Sequence, residues 1–183
     1  MTQTRLLTAD DLFAMGSDCH CELVDGRLVE MSPTGFIHGA VTGSATILVG
    51  RFVREHQLGW CCGAETGFRL RSDPDLVRAP DFAFVAEGRV TPEMDTSRYL
   101  NLAPDFVIEV VSPGDRASEI AGKVLEYLQT GVRLVWVAYP ELQAITVHRP
   151  DGSSRTLRAD DILSGEDVLP GFTCRVAELF PAP

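Results

Sequence analysis

The chain has 183 residues, of which 45% are hydrophobic, and 16 basic against 26 acidic residues give it a formal net charge of −10. This length predicts a single domain over residues 1–183, and the hydrophobic share suffices for a core, which excludes a mainly disordered chain. The acidic balance argues against charge-driven adhesion to nucleic acid or to an anionic membrane, although an enzyme with a local basic face is still compatible with it.

The apolar segments and the cysteines bear on the compartment. The N-terminal residues MTQTRLLTADDLFAMG lack a long apolar core, and no run of about 20 apolar residues occurs, so we expect neither a signal peptide nor a membrane span. Five cysteines are an odd number in a long chain, so we expect free thiols and a cytoplasmic protein. The spacings Cys19-His20-Cys21 and Cys61-Cys62 are too short for a structural zinc site.

The first half of the chain carries the patterns of two helices and several strands. A capping threonine and acidic residues predict a short helix over residues 8–15. Apolar runs around an Asp-Gly pair predict a β-hairpin over residues 21–32. Apolar residues at helical spacing predict a long helix over residues 38–57. One strand is expected over residues 60–71, and the apolar run FAFVA predicts another.

The second half alternates between helix and strand patterns. Residues 89–103 are expected to be irregular or partly helical, and the apolar run at residues 105–111 predicts a strand covered on both faces. A helix of about 15 residues follows and ends at Gly131, and the segments RLVWVAY and AITVHR predict two more strands. The tail LPGFTCRVAELF is expected to add a strand and a short helix. This order predicts an α/β or α+β fold with helices on the faces of a sheet.

Glu109 is the most informative polar residue. It stands inside the strand FVIEVV, whose other residues are all apolar. Burying a carboxylate is costly unless it is paired with a basic side chain, protonated or bound to a metal ion. Glu109 is therefore either a functional acid or the buried partner of an arginine or lysine, and we favour a functional acid.

Two aspartates that follow prolines are candidates to act with Glu109. Asp105 lies four residues earlier on the same strand face, at a Cα distance of about 13 Å, which is too far for the two side chains to share one hard cation. Asp81 begins a different strand, and the Cα atoms of neighbouring strands lie about 5 Å apart. The sequence therefore favours Asp81 with Glu109 as a metal-binding pair, and Asp105 as a turn cap.

Three further residues are candidates for the same cleft. Lys123 lies on the flank of the helix that follows Glu109, where it either stabilises negative charge or forms a solvent-facing pair with Glu119. His38 begins the long helix and Glu22 begins the hairpin. Residues at such positions more often have a structural role than a catalytic one.

Arginines provide the positive charge that contact with a phosphate backbone requires. Arg69, Arg71 and Arg78 surround one predicted hairpin, and Arg69 and Arg71 share a strand face. The alternative is a solvated edge on which the arginines pair with Asp73 and Asp75. The sequence leaves both readings open.

The ordered motifs ELVDGRLVEMSP, APDFAFV, PDFVIEVVSPGD and KVLEYLQTGVRLVWVAYP, with a histidine soon after the first, resemble the Uma-two family over nearly the whole chain. These are bacterial proteins placed among the PD-(D/E)xK nucleases. The resemblance implies a restriction-endonuclease-like mixed central sheet flanked by helices, with an N-terminal β-hairpin. It also implies Mg²⁺- or Mn²⁺-dependent cleavage of phosphodiester bonds, in DNA in the first place, and by analogy a homodimer.

The resemblance assigns Asp81 and Glu109 as the two acids of the superfamily motif. The motif places a lysine two residues after the second acid, where this chain has Val111, and the resemblance implies that Lys123 takes over that role. It also makes Glu22 and His38 further candidate site residues, able to bind a second ion or to position water.

The chain departs from the expected pattern at two places, of which one bears on function. Tyr139-Pro140 stands where the family more often has Asp-Pro, a difference that we interpret as structural. Val111 and the charge of −10 favour an inactive nuclease-fold module that binds a partner or assists another protein. A metal-dependent phosphodiesterase that acts on a small substrate is the other alternative.

Overall fold

The structure is a computed structural model that describes residues 5–16 and 19–181. Three helices and twelve strands are described, together with two short 3-10 turns at Pro140–Leu142 and Val176–Leu179. In chain order the elements are α1 (Ala9–Met15), β1 (Cys21–Val24), β2 (Arg27–Glu30), α2 (Phe36–Glu55), β3 (Gly59–Gly63), β4 (Phe68–Arg71), β5 (Leu76–Arg78), β6 (Phe82–Ala86), β7 (Phe106–Val110), α3 (Ala117–Gln129), β8 (Leu134–Tyr139), β9 (Ala144–His148), β10 (Ser154–Arg158), β11 (Ile162–Ser164) and β12 (Thr173–Arg175).

The strands form two sheets and a ribbon. The larger sheet has the order β10-β9-β8-β7-β6-β3, the smaller one has the order β2-β1-β5-β4, and β11 pairs with β12. In the larger sheet only β7 and β8 are parallel, and α3 makes the crossover that a parallel pair requires. The central sheet is therefore mixed and flanked by helices, which confirms the predicted α+β fold class.

The two faces of the larger sheet are buried by different helices. Alternate residues of a strand point to opposite faces. On β7, Phe106 and Ile108 belong to the core cluster that contains the buried stripe of α2, whereas Val107 belongs to the cluster that contains Val124 and Tyr127 of α3. By the same alternation Glu109 lies on the face covered by α3.

The helix α2 is apolar because one side of it lies in the core. Val41, Ala45, Val49 and Val53 recur every four residues and are all buried against the larger sheet. By length and composition alone, α2 would also suit a membrane span. Its buried stripe accounts for much of this apolar character, and the expectation that no segment spans a membrane stays a prediction.

The predicted single strand over residues 60–71 is wrong. The structure divides this stretch into β3, which pairs with β6 in the larger sheet, and β4, which pairs with β5 in the smaller one. The chain turns between them at Glu65, which has a positive φ, and at Gly67, where a Cβ would lie 2.6 Å from the ring of Tyr99. The alternation of polar and apolar residues alone did not reveal this corner.

The expectation of free thiols is wrong for two of the five cysteines. Cys19 and Cys21 form a disulfide bond immediately before and at the start of β1. Cys61 is exposed, Cys62 is half-buried and Cys174 is buried, and these three are free. The predicted hairpin agrees with β1 and β2, and the predicted strand and short helix of the tail agree with β12 and the last 3-10 turn.

Candidate active site

The pairing of β6 with β7 brings the two predicted acids together. Phe82 is the register partner of Ile108, so Asp81, which precedes β6, lies at the level of Glu109 on the neighbouring strand. The Oδ2 atom of Asp81 accepts a hydrogen bond of 2.7 Å from the backbone N–H of Val110. This bond fixes the Asp81 carboxylate at the end of β7, so the predicted adjacency of the two acids is present.

Glu109 is a buried carboxylate with two side-chain donors. The hydroxyl of Tyr127 donates to its Oε1 at 2.6 Å, and the ammonium of Lys123 lies 3.3 Å from its Oε2. Burial raises the pKa of Glu109 to about 7, and the charge of Asp81 adds to the rise against the opposing effects of Lys123 and Tyr127. The carboxylates of Asp81 and Glu109 therefore repel each other unless positive charge lies between them.

Lys123 belongs to this acid cluster and not to the solvent-facing pair with Glu119 that the sequence left open. Its Nζ atom lies between the carboxylates of Glu109, at 3.3 Å, and Glu22, at 3.5 Å. Burial lowers the pKa of Lys123, but these two carboxylates outweigh that effect and raise it above its usual value. Lys123 is the only lysine of the sequence, so the single primary amine among the side chains lies at this site.

Glu22 is in the cluster, but not as an open metal ligand. It is only 2% exposed, and both of its oxygens are occupied. Its Oε1 accepts from the backbone N–H of Ala79 at 3.0 Å, and its Oε2 accepts from Arg78 at 2.6 Å and faces Lys123. With these contacts, Glu22 offers no free oxygen to the second ion that the sequence analysis considered.

Arg78 likewise differs from the predicted phosphate contact. It is buried, and its guanidinium donates to Glu22 and, from Nε at 2.7 Å, to Glu126 on α3. A guanidinium enclosed by two carboxylates has no surface left for a nucleic acid. The structure therefore places Arg78 within the acid cluster and not on a nucleic-acid surface.

The other two predicted phosphate contacts also have carboxylate partners. Arg69 pairs with the buried Asp75 at 2.9 Å, and Arg71 pairs with Asp25 in the turn of the first hairpin. Their side chains are 30% and 41% exposed. The pair of Arg69 with Asp75 agrees with the predicted alternative of a salt-bridged edge, whereas the partner of Arg71 is Asp25 and not Asp73.

His38 reaches the site from the first turn of α2. Its Nε2 atom lies 3.2 Å from the Oδ2 atom of Asp81, and the side chain is mostly buried. Burial lowers the pKa of His38, but the hydrogen bond and charge of Asp81 outweigh it, and the more distant Asp115 and Glu109 add to the rise. The structure thus joins His38 to Asp81, whereas Glu22 and Lys123 lie on the Glu109 side.

Sequence reasoning did not assign Glu126 and Tyr127, which the structure adds to the site. Lys123, Glu126 and Tyr127 follow the spacing i, i+3, i+4, which places them on one face of α3. That spacing was the available signal for Glu126 and Tyr127. Arg116, exposed at the start of α3, takes part in no ion pair among the residues that the structure describes, and only its position after the acidic strand marked it.

The charges of the cluster suit a divalent cation, although the geometry is not that of a complete metal site. Within residues 5–16 and 19–181, no three His, Cys, Asp or Glu side chains are arranged to hold a metal ion. The ionised cluster nevertheless sets four carboxylates against two basic side chains, namely Asp81, Glu109, Glu22 and Glu126 against Arg78 and Lys123. One divalent cation would neutralise this excess, and oxygen atoms of Asp81 and Glu109 are the hard donors that Mg²⁺ and Mn²⁺ prefer.

Known proteins resemble this chain in sequence pattern and in fold. The model of a family described as "Uma2: Putative restriction endonuclease" matches residues 8–177. The fold is similar to a crystal structure described as a putative nuclease belonging to DUF820 from Anabaena variabilis, with a TM-score of 0.81 and 17% sequence identity, over 95% of this chain and 97% of that one. None of the curated proteins matches the sequence.

Proposed function

Because the chain belongs to the Uma2 family, whose description is "Putative restriction endonuclease", we propose that it is a divalent-metal-dependent endonuclease acting on nucleic acid, in the first place DNA. The observation that carries the proposal is the pair formed by the buried Glu109 and the partly buried Asp81, with the ammonium of Lys123 on Glu109. A buried acid with a raised pKa beside a second acid is unfavourable without a cation, which is a reason to expect one.

Asp81 and Glu109 would hold Mg²⁺ or Mn²⁺, each offering one carboxylate. The ion supplies a water of lowered pKa and polarises a phosphate oxygen. The residues of the chain limit which oxygens are available, because Tyr127 occupies Oε1 of Glu109 and the N–H of Val110 occupies Oδ2 of Asp81. The Asp81 Oδ1 atom then faces an ion without these contacts, whereas the Glu109 Oε2 atom would face it beside the ammonium of Lys123.

Lys123 and His38 would act on opposite sides of this pair. Because its pKa is raised, Lys123 stays protonated at neutral pH, so its Nζ donates hydrogen bonds to a phosphate oxygen and stabilises charge as the phosphorus becomes pentavalent. In this protonated state it acts as a hydrogen-bond donor and not as a general base. His38 holds Asp81 from α2 and fixes the direction of that carboxylate.

Nucleic-acid contact is proposed for exposed arginines near the site. Arg116 follows β7 in the chain and is free to contact a phosphate, whereas Arg69 and Arg71 must first exchange Asp75 and Asp25 for one. A homodimer would supply two such sites for two strands.

The pairing of the arginines also favours a second candidate function, a metal-dependent phosphodiesterase with a small substrate. Such an enzyme needs no extended basic surface. Turnover of a chromogenic phosphodiester without cleavage of plasmid DNA, single-stranded DNA or RNA is the expected result for this candidate.

The test is cleavage of plasmid DNA, single-stranded DNA and RNA by the purified protein with Mg²⁺ or Mn²⁺. We expect the Asp81→Asn and Glu109→Gln variants to lose cleavage. The matched control is Asp105→Asn, since Asp105 also follows a proline but bonds Arg89 at the far end of β7. Cleavage unchanged in Asp81→Asn and Glu109→Gln overturns the assignment, and Mn²⁺ binding by calorimetry without any hydrolysis indicates an inactive module.

A further inference from the structure

Two carboxylates contact the one ammonium of the site, and a third lies on the same face of α3. Lys123 lies 3.3 Å from Glu109 and 3.5 Å from Glu22, and Glu126 is three residues further along the same helix, at a spacing where side chains are neighbours. Only the first of these contacts serves the proposed reaction. Something must therefore weaken the attraction of Glu22 and Glu126 for Lys123.

Arg78 is placed to do so. Its Nη1 lies 2.6 Å from Glu22 Oε2 and its Nε lies 2.7 Å from Glu126 Oε2, both shorter than either contact of Lys123. A guanidinium has five donors in a fixed plane and can satisfy two carboxylates together, which an ammonium does less well. The three residues come from β5, β1 and α3, so the contact also ties the smaller sheet to the helix that carries Lys123.

We propose that Arg78 is a positioning residue: by occupying Glu22 and Glu126, it keeps the ammonium of Lys123 on Glu109, at the side of the cluster where a phosphate would bind. The proposal rests on the proposed nuclease function for its consequence in catalysis. Its structural part, the location of the amine, is independent of that function. Arg78 itself touches neither of the proposed metal ligands and is not a catalytic residue.

The single lysine provides a direct measurement. Reductive methylation with formaldehyde and a borohydride modifies the α-amine and Lys123 alone, and peptide mass spectrometry separates the two. We expect methylation of Lys123 to be several-fold slower in Arg78→Met, because the released Glu22 and Glu126 then hold the amine as well. In Glu22→Gln it should be several-fold faster, and in the double variant Arg78→Met/Glu22→Gln it should return towards the wild-type rate.

The opposite signs separate positioning from loosened packing, which would speed methylation in every variant. Arg89→Met is the matched control, since Arg89 also pairs with a buried acid, Asp105, but at the other end of β7. In this variant Lys123 should be methylated at the wild-type rate. Should Arg78→Met fail to fold, Arg78→Lys keeps the charge but not the planar fork. It adds a second lysine, which peptide mass spectrometry resolves from Lys123, and the rate at Lys123 should shift in the same direction to a smaller extent.

Cleavage assays on the same variants complete the test. We expect Arg78→Met to lower kcat at least tenfold with little change in KM, and the double variant to recover part of the loss. An unchanged methylation rate in folded Arg78→Met or Arg78→Lys overturns the positioning role. If the wild type cleaves nothing, the nuclease proposal fails, while the methylation rates still decide where Lys123 lies.

Discussion

Glu109 combines three properties that rarely occur in one side chain. It is 5% exposed, its pKa is raised to about 7 chiefly by burial, and it accepts from both Tyr127 and Lys123. The two donors hold the carboxylate in one orientation while burial disfavours its charge. The Glu109 carboxylate thus already has a fixed orientation in which it could bind a cation. Without a cation, its ionised state is unfavourable.

This property predicts a pH-dependent stability for the metal-free protein. Folded Glu109 has a pKa of about 7 against 4.5 when exposed, so between these values the folded state binds more protons and stability falls as pH rises. The loss is fully present above pH 7 and amounts to roughly 3 kcal/mol. We expect Glu109→Gln to gain in unfolding free energy relative to the wild type as the pH rises from 4.5 to 8, measured by urea denaturation with a chelator present.

The control for this experiment is Glu141→Gln, since Glu141 is exposed in the turn after β8. Its unfolding free energy should follow that of the wild type at every pH. A constant difference between the wild type and Glu109→Gln over this range would contradict the raised pKa.

At the scale of elements, the pairing of β3 with β6 depends on the glycine that begins β3. Gly59 has a φ of +145°, and a Cβ there would collide with the backbone oxygen of Val85 on β6. Only glycine adopts this conformation without strain, and the close approach of β3 to β6 also requires it. Gly63 ends the same strand with open space around it.

These two glycines provide a matched comparison. We expect Gly59→Ala to lower the unfolding free energy by at least about 2 kcal/mol, because both the backbone conformation and the space are unsuitable for a side chain. Gly63→Ala should change it by less than about 1 kcal/mol. Equal losses of unfolding free energy in thermal or urea unfolding would show that the start of β3 tolerates a side chain.

At the scale of the whole molecule, acidic residues outnumber basic ones, and most of the basic side chains form ion pairs with them. The proposed interface therefore relies on few free arginines, and Arg116 is the one that follows the acidic strand. Each phosphate contact contributes about 0.9 to the slope of log K against log salt concentration for duplex DNA. We expect weak binding overall and a slope reduced by about one in Arg116→Ala.

The comparison variant for this binding experiment is Arg155→Ala. Arg155 is also exposed and takes part in no ion pair within residues 5–16 and 19–181, but it lies on the edge strand β10. Fluorescence anisotropy with labelled DNA at several salt concentrations gives both slopes. An unchanged slope in Arg116→Ala removes this residue from the proposed interface.

Local patterns predicted much of this protein correctly. The hairpin, the long helix, the acidic strand with α3 after it and the neighbouring positions of Asp81 and Glu109 all follow from hydrophobic period and strand geometry. These features depend on residues close in sequence, or on the two spacings that every sheet shares. An acid inside an apolar strand is visible without any knowledge of its partners.

Only the tertiary structure decided which charges meet. Three features join residues from separate elements. They are the corner between β3 and β4, the enclosure of Arg78 by Glu22 and Glu126, and the contact of Lys123 with Glu109 in place of Glu119. Sequence spacing cannot distinguish an arginine that faces solvent from one that is buried between carboxylates, because water and carboxylates can each stabilise the charge of the guanidinium. The sequence by itself therefore determined where the acids lie, and the packing of α3 between two sheets determined which basic side chain serves them.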